Sequence, residues 1–170
     1  AAGAELVNDI SGGRFDSEMF GVAAKAEAGF VLMHTAGPPK TMQQTYAYDD
    51  VVKEIETYLA GRLEAALALG LKKERLLLDP GIGFGKSPAH NLALLKNAGR
   101  FSRLGCPVFI GASRKSFIGA LTGASMGERL EGSLAALALA HAAHARVFRV
   151  HDVRASRRFL AFLDAAQKGD

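Results

Sequence analysis

An α/β fold built on a parallel sheet is the architecture this sequence predicts, and three observations point to it. Five short runs are almost continuously apolar, as strands covered on both faces are. They are 5–10 (ELVNDI), 30–34 (FVLMH), 75–79 (RLLLD), 107–113 (PVFIGAS) and 146–152 (RVFRVHD). Segments with helical patterning separate them. Every crossover exceeds the dozen or so residues that parallel pairing needs.

Each helix carries its own signals. Residues 17–28 are Ala-rich and stop at Gly29. From Asp50 to Leu69, one face collects Val51, Ile55, Leu59, Leu63 and Leu67, and Gly70 ends the run. Ser87 then Pro88 opens a short helix by the cap-then-proline rule. Residues 127–143 form a long Ala/Leu helix, and 156–166 the last one. The segment 35–49, TAGPPKTMQQTYAYD, is long enough to be a functional loop. A second candidate loop is GASMG, 123–127.

The totals limit the function classes. A chain of 170 residues suits one domain with a real core. A formal charge of +4 without a basic, aromatic-interleaved run argues against nucleic acid as partner, while a modest preference for anions is compatible with it. The single cysteine, Cys106, excludes an internal disulfide and fits a reducing compartment, so a cytoplasmic location is expected. Metal-ligand Cys/His spacing is absent. The longest apolar stretch, SLAALALAHAA, is too short to span a bilayer, so no membrane partner is expected. No signal-peptide pattern is present. The opening AAGAELVND lacks an initiator Met and reads like a piece cut from a longer chain.

The stretch DPGIGFGKS, 79–87, looks like a phosphate loop but is not one. A P-loop needs four residues between its first glycine and Gly-Lys-Ser, and Gly81 and Gly85 enclose three. The dinucleotide fingerprint needs glycine where Lys86 stands. The carboxylate that precedes the glycines is more informative, because it ends an apolar strand.

Every strand ends in such polar groups: Asn8 and Asp9; His34; Asp79; Ser113, Arg114, Lys115 and Ser116; then Arg149, His151 and Asp152. In a parallel α/β sheet these ends share one edge, where ligands bind. Bland readings exist. Asp79 could cap a helix or shape a turn; Asn8 and Asp9 could do the same. His34 could be a satisfied structural histidine. SRKS could be a cap with a solvated basic turn, although two cations at a helix N-terminus oppose its dipole and suggest an awaited anion. Arg149 and His151, two apart in a strand, would face one side, and Arg there is costly unless paired or ligand-facing. Asp79 and Asn8 offer acceptors for an amidine-like edge. Lys115, Arg149 and His151 offer positive charge for phosphate or carboxylate. Met33 and Phe84 offer apolar flanks. A flat, nitrogen-rich heterocycle carrying phosphate satisfies all of them.

LVNDI, LMHTAGPPKTMQ, LLLDPGIGFGK, GASRKSFIG, ERLEGSLA and RVHDV occur in that order over essentially the whole chain. In this they resemble bacterial dihydropteroate synthase. DPGIGFGK, SRKS and RVHDV are the most specific. The resemblance implies a TIM-type barrel that joins 6-hydroxymethyl-7,8-dihydropterin pyrophosphate to p-aminobenzoate, releasing pyrophosphate and 7,8-dihydropteroate for folate synthesis. By it, Asn8 and Asp79 would hold the pterin's pyrimidine edge, and Ile10, Met33, Phe84 and Gly111 would line its pocket. Lys115 would bond the pterin. Arg149 would lie against the ring and, with His151, bind pyrophosphate. Ser113 would meet the p-aminobenzoate carboxylate. Lys115, Arg149 and His151 would be the catalytic groups, stabilising the leaving group while a neutral arylamine attacks a pterin cation.

Aligned by motif, the chain starts at what resembles the fourth barrel strand. The expectation is therefore one N-terminally truncated pterin-binding domain over 1–170, a partial barrel of about five parallel strands. Segments that the family places earlier would be missing: a loop asparagine that helps hold magnesium and pyrophosphate, a mobile second loop, and a pterin-binding Asp. Mg2+ is expected for the whole enzyme, with no ligand in these residues, and the chain alone is expected to be inactive. The unpaired edges 5–10 and 146–152 should invite association. A homodimer through the late helices is implied, with Ala135, Ala136, Ala138, Ala140, Ala142 and Ala143 allowing close approach. Two other readings stay open. A methyltetrahydrofolate–corrinoid methyltransferase domain would share the barrel and the pterin Asp and Asn, but SRKS with RVHDV argues against it. A non-catalytic pterin-binding fragment is the second.

Overall fold

The computed structural model describes residues 3–38 and 47–168. Strands β1 (Leu6–Asp9), β2 (Gly29–Met33), β3 (Leu76–Asp79), β4 (Phe109–Ile110) and β5 (Val147–Phe148) follow one another along the chain. Between and after them come α1 (Met19–Lys25), α2 (Val51–Ala68), α3 (Pro88–Lys96), α4 (Ala98–Ser102), α5 (Ser116–Thr122), α6 (Leu130–Ala142) and α7 (Val153–Lys168). β1, β2 and β3 pair in parallel in that order, and β4 pairs in parallel with β5. One parallel bridge, Leu78 to Val108, joins the two sheets. The strands thus run side by side in chain order as a partial TIM-type barrel, with β1 and β5 at its edges.

The helices form where their caps and apolar faces direct. Asp50 caps α2, its carboxylate accepting from the amides of Val52 and Lys53. Glu54 reaches back to the amides of Asp49 and Asp50 at 2.8 and 3.0 Å. Ile55, Leu59 and Leu63, four residues apart, are buried, whereas Leu67 on the same face is exposed. Ser87 caps α3 as the sequence predicts, accepting from the His90 amide at 3.1 Å.

The register divides the strands into two faces. Phe30, Leu32, Leu76, Leu78, Val108 and Ile110 join Ile55, Leu59, Leu94, Leu95 and Phe101 in the core beneath the helices. Burying each such side chain contributes roughly 1.5–3 kcal/mol. The residues between them turn to the inside of the barrel, because side chains alternate along a strand. Asn8, Val31 and Leu77 are one inner row, and Met33 with Asp79 is the next. Ile10 follows β1 in the turn after it. Phe109 and Val147 continue the inner face, with Gly111 and Arg149 two residues on.

Several expectations need correction. The fourth and fifth strands are two residues each, not seven, because beyond Ile110 and Phe148 the chain leaves the ladder for side-chain bonds described below. Arg149 and His151 therefore lie past β5 rather than within it. The long Ala/Leu helix begins at Leu130; a 3-10 turn at Met126–Glu128, capped through Ser125 and Glu128, precedes it. α4 had no signal distinct from that of α3. Much of the expected functional loop, residues 39–46, lies outside the described residues.

Candidate active site

Asp79 ends β3 and is 4% exposed. Its Oδ1 accepts from the Gly81 amide at 2.7 Å. Burial pushes its pKa up, opposed by the cation of Lys115, then by the Gly81 amide, Lys86 and Arg149.

The glycines after Asp79 serve close passage. Gly81 has φ 73°, and a Cβ there would sit 1.8 Å from the carbonyl oxygen of His34, so no side chain fits. A Cβ on Gly83 would meet Lys115 Cδ at 2.8 Å. Asn91, fully buried in α3, anchors this loop. It accepts from the Gly83 amide at 2.7 Å and donates to the Ser87 carbonyl at 2.9 Å.

Lys115 leans over the same loop from the N-cap position of α5. Its ammonium lies 4.4 Å from the centroid of the Phe84 ring and donates to the Ile82 carbonyl. Burial lowers its pKa to about 8, with Asp79 pulling the other way.

Beside Lys115 opens a cavity of about 370 Å3, whose walls include Gly111, Ser113, Arg114, Arg149 and His151. Ser113 is buried and ties its two sides together. Its Oγ accepts from the His151 amide at 3.2 Å and lies 3.1 Å from His151 Nδ1. Arg149 and His151 are exposed.

The SRKS segment does not present two free cations to one helix end. Arg114 stands outside α5 with φ 57°, and its guanidinium donates from two nitrogens to the Asp152 carboxylate. Its amide donates to Ser133 Oγ at 2.9 Å, and its carbonyl accepts from Arg129 at 3.0 Å. Arg114 stays charged but is paired with Asp152, which leaves Lys115 as the cation of the segment that faces the glycine loop. Asp9 takes the bland reading: its carboxylate accepts from the Ser11 hydroxyl and from the Ser11 and Gly13 amides, shaping the turn after β1.

Asp79, Phe84 and Lys115 thus meet around the glycine loop, and Gly111, Ser113, Arg149 and His151 around the cavity. Met33 pairs in register with Asp79. Asn8 on the inner face and Ile10 in the turn after β1 lie at the open edge, two strands away, exposed and half-buried. One buried group escaped the sequence reading. Lys86 is 4% exposed, and its Nζ lies 3.0 Å from His34 Nδ1. A lysine between a glycine and a helix cap gives no hint of burial; only the missed P-loop pattern drew attention to it.

The chain matches the family model described as pterin binding enzyme over residues 1–151. It is 41% identical to a dihydropteroate synthase of Synechocystis over 96% of its own length and 57% of that protein's. It is 42% identical to an inactive dihydropteroate synthase 2 of Mycobacterium tuberculosis, over 98% of the chain and 54% of the relative. Among solved structures, a dihydropteroate synthase from Stenotrophomonas maltophilia with active site-bound imidazole superimposes with a TM-score of 0.93 at 44% identity, over 98% of this chain and 63% of that one. One from Xanthomonas albilineans in complex with 7,8-dihydropteroate gives 0.89 at 42%, over 98% and 60%. The chain spans little more than half the length of these curated relatives. The match to the family model spans both the glycine loop and the cavity, and it establishes that this chain belongs to the pterin-binding enzymes.

Proposed function

We propose that residues 1–170 act as one pterin-binding domain of a dihydropteroate synthase. The reaction would join 6-hydroxymethyl-7,8-dihydropterin pyrophosphate to p-aminobenzoate, giving 7,8-dihydropteroate and pyrophosphate. One observation carries this reading: a buried carboxylate, Asp79, lies on the inner face and is coupled by charge to Lys115 and Arg149, which edge a cavity together with His151. An anionic carboxylate accepts two hydrogen bonds from an aminopyrimidine edge. Asn8 would add an acceptor, while Ile10, Met33, Phe84 and Gly111 would flank the ring. Lys115 would bond the pterin, and Arg149 and His151 would take up the negative charge that gathers on the departing pyrophosphate. Ser113 would orient the arylamine's carboxylate. The Xanthomonas relative in complex with 7,8-dihydropteroate supports the substrate class. The cations Lys115 and Arg149, with the His151 ring beside them, favour a phosphate leaving group over corrinoid methyl transfer.

Among the described residues, no group of three or more His, Cys, Asp and Glu gathers as a metal site. No step is assigned to the family's magnesium. A homodimer through the late helices belongs to the same reading. Phe162 on α7 is 71% exposed, and Ala135 and Ala142 on α6 face outward, although Ala136 and Ala140 are used inside the chain. The reading also places the protein in the cytoplasm; no described helix is long and apolar enough to cross a membrane.

The test is calorimetry with the pterin pyrophosphate, followed by a pyrophosphate-release assay with p-aminobenzoate and magnesium. Binding without turnover is expected from these residues alone, since Arg149 and Asn8 are open to water that would intercept a pterin cation. Failure to bind either pterin or pyrophosphate overturns the reading. A binding-only role is the second reading, favoured by the likeness to the inactive mycobacterial relative. Synthesis of 7,8-dihydropteroate by this chain would eliminate it.

A further inference from the structure

Lys86 has no place in the function described so far, yet its placement is costly. A buried ammonium needs compensation, and Lys86 meets two neutral acceptors, His34 Nδ1 at 3.0 Å and the Phe84 carbonyl at 3.0 Å. For His34 to accept there, its ring must be neutral and carry its proton on Nε2. Burial and the Lys86 and Arg14 cations do hold it neutral, at a pKa of about 3.

Asp79 is the buried carboxylate nearest in the loop, and Gly81 connects the two. The Gly81 amide donates to Asp79 Oδ1 at 2.7 Å, and a Cβ on Gly81 would lie 3.3 Å from Lys86 Nζ. Ammonium and carboxylate therefore flank a single glycine at the end of β3, both closed off from water.

We propose that Lys86 is a positioning residue, the buried counter-charge that keeps Asp79 in its hydrogen-bond-accepting form while clamping the Asp79–Lys86 loop to His34. This deepens the pterin reading and rests on it. A carboxylate in a dry site tends to take up a proton. A protonated Asp79 would present a donor where an aminopyrimidine also donates. Lys115 stands over the ring-binding side of the loop and Arg149 is exposed. Lys86 is the cation on the closed side, where a bound pterin would leave it in place.

The charged and titratable groups around the pair come from several elements. Asp79 is faced by Lys115 at the start of α5, by Lys86, and by Arg149 beyond β5. Lys86 is faced by Asp79, Lys115 and His34. His34 has the Tyr48 and Tyr58 rings against it, at 6.1 and 4.8 Å between centroids, and Arg14 nearby. Burial brings Lys86 to a pKa of about 7, and Asp79 holds it up against that pull.

The test follows both groups by NMR in the ligand-free chain, with 13C-labelled aspartate and 15N-labelled lysine. In Lys86→Met, the Asp79 carboxyl should titrate at higher pH, by about one pH unit or more for a lost neighbouring cation. In Asp79→Asn, which keeps the shape of the side chain, the Lys86 ammonium should titrate lower, by linkage to the same extent. The acid limb of the pterin-binding pH profile should move upward in Lys86→Met and leave affinity on its alkaline side nearly unchanged. A uniform affinity loss at every pH, with no shift of either titration, would make Lys86 merely structural and overturn the proposal. The Asp79→Asn arm decides the matter if Lys86→Met does not fold. Because the titrations need no ligand, failure of the wild-type chain to bind pterin would sink the functional reading without touching this result.

Discussion

Two neighbouring parts of one sheet edge handle charge in opposite ways. At the end of β3, Asp79, Lys86 and His34 are each at most 8% exposed and are held by the glycine loop and Asn91. At the ends of β4 and β5, Arg149 and His151 are exposed, and the chain is tied by Ser113 to His151 and Arg114 to Asp152. The first region rests on three paired strands and the main core; the second on two-residue strands. Burial magnifies each electrostatic contact and fixes its geometry, which suits recognition of a neutral heterocycle's edge. Exposure lets cations follow a leaving group into water, at the cost of strength per contact. Under the proposed function, this contrast would let the site hold one substrate half firmly and release the other.

The largest blow to this contrast should come from the seam between the two regions. Leu78 is fully buried in β3 and bridges to Val108. Leu78→Ala should cost about 2–5 kcal/mol in urea unfolding. A loss near zero would mean that the two sheets are not one cooperative unit.

Asp79→Asn comes next. Charge-assisted bonds are worth about 1.5–3 kcal/mol, so pterin affinity should fall roughly ten- to hundredfold by calorimetry. Unchanged affinity would remove Asp79 from the site and dissolve the distinction between the regions.

A pH experiment sharpens the buried side. His34 has its pKa lowered to about 3 by burial and by Lys86 and Arg14, so the unfolded chain binds its proton first. The stability tied to neutral His34 is complete above about 6.5 and is lost as pH falls towards 3. Between those limits, wild type should lose up to about 1.4 kcal/mol per pH unit relative to His34→Gln. Parallel stability curves for the two proteins would count against a sealed, neutral His34.

The smallest effect belongs to the open side. Arg149→Ala should weaken pyrophosphate binding by only about two- to fivefold at moderate salt, as an exposed ion pair does. The difference from wild type should shrink as salt is added. A loss comparable to that of Asp79→Asn would mean that Arg149 is desolvated when ligand binds, and the two regions would be energetically alike.

How far the sequence could be read depended on distance along the chain. Apolar runs, Gly29 and Gly70 as stops, and the Ser87–Pro88 start are local signals. They placed the five strands and most helices, because patterning and capping act within a few residues. The convergence of Asp79, Lys115, Arg149 and His151 also followed from sequence, since parallel strands of an α/β sheet put all their ends on one edge. What only tertiary structure decided were contacts between segments far apart in number. Arg114 and Lys115 are adjacent and equally charged, yet Asp152, 38 residues on, binds the first and leaves the second to Phe84 and Asp79. β4 and β5 are short because Ser113 and Arg114 draw their ends into side-chain bonds that no pattern of hydrophobicity encodes. Lys86 looks like a surface lysine until His34, 52 residues earlier, is brought against it. Burial of a charge is settled by what the rest of the chain packs around it, and that information lies in no short stretch of sequence.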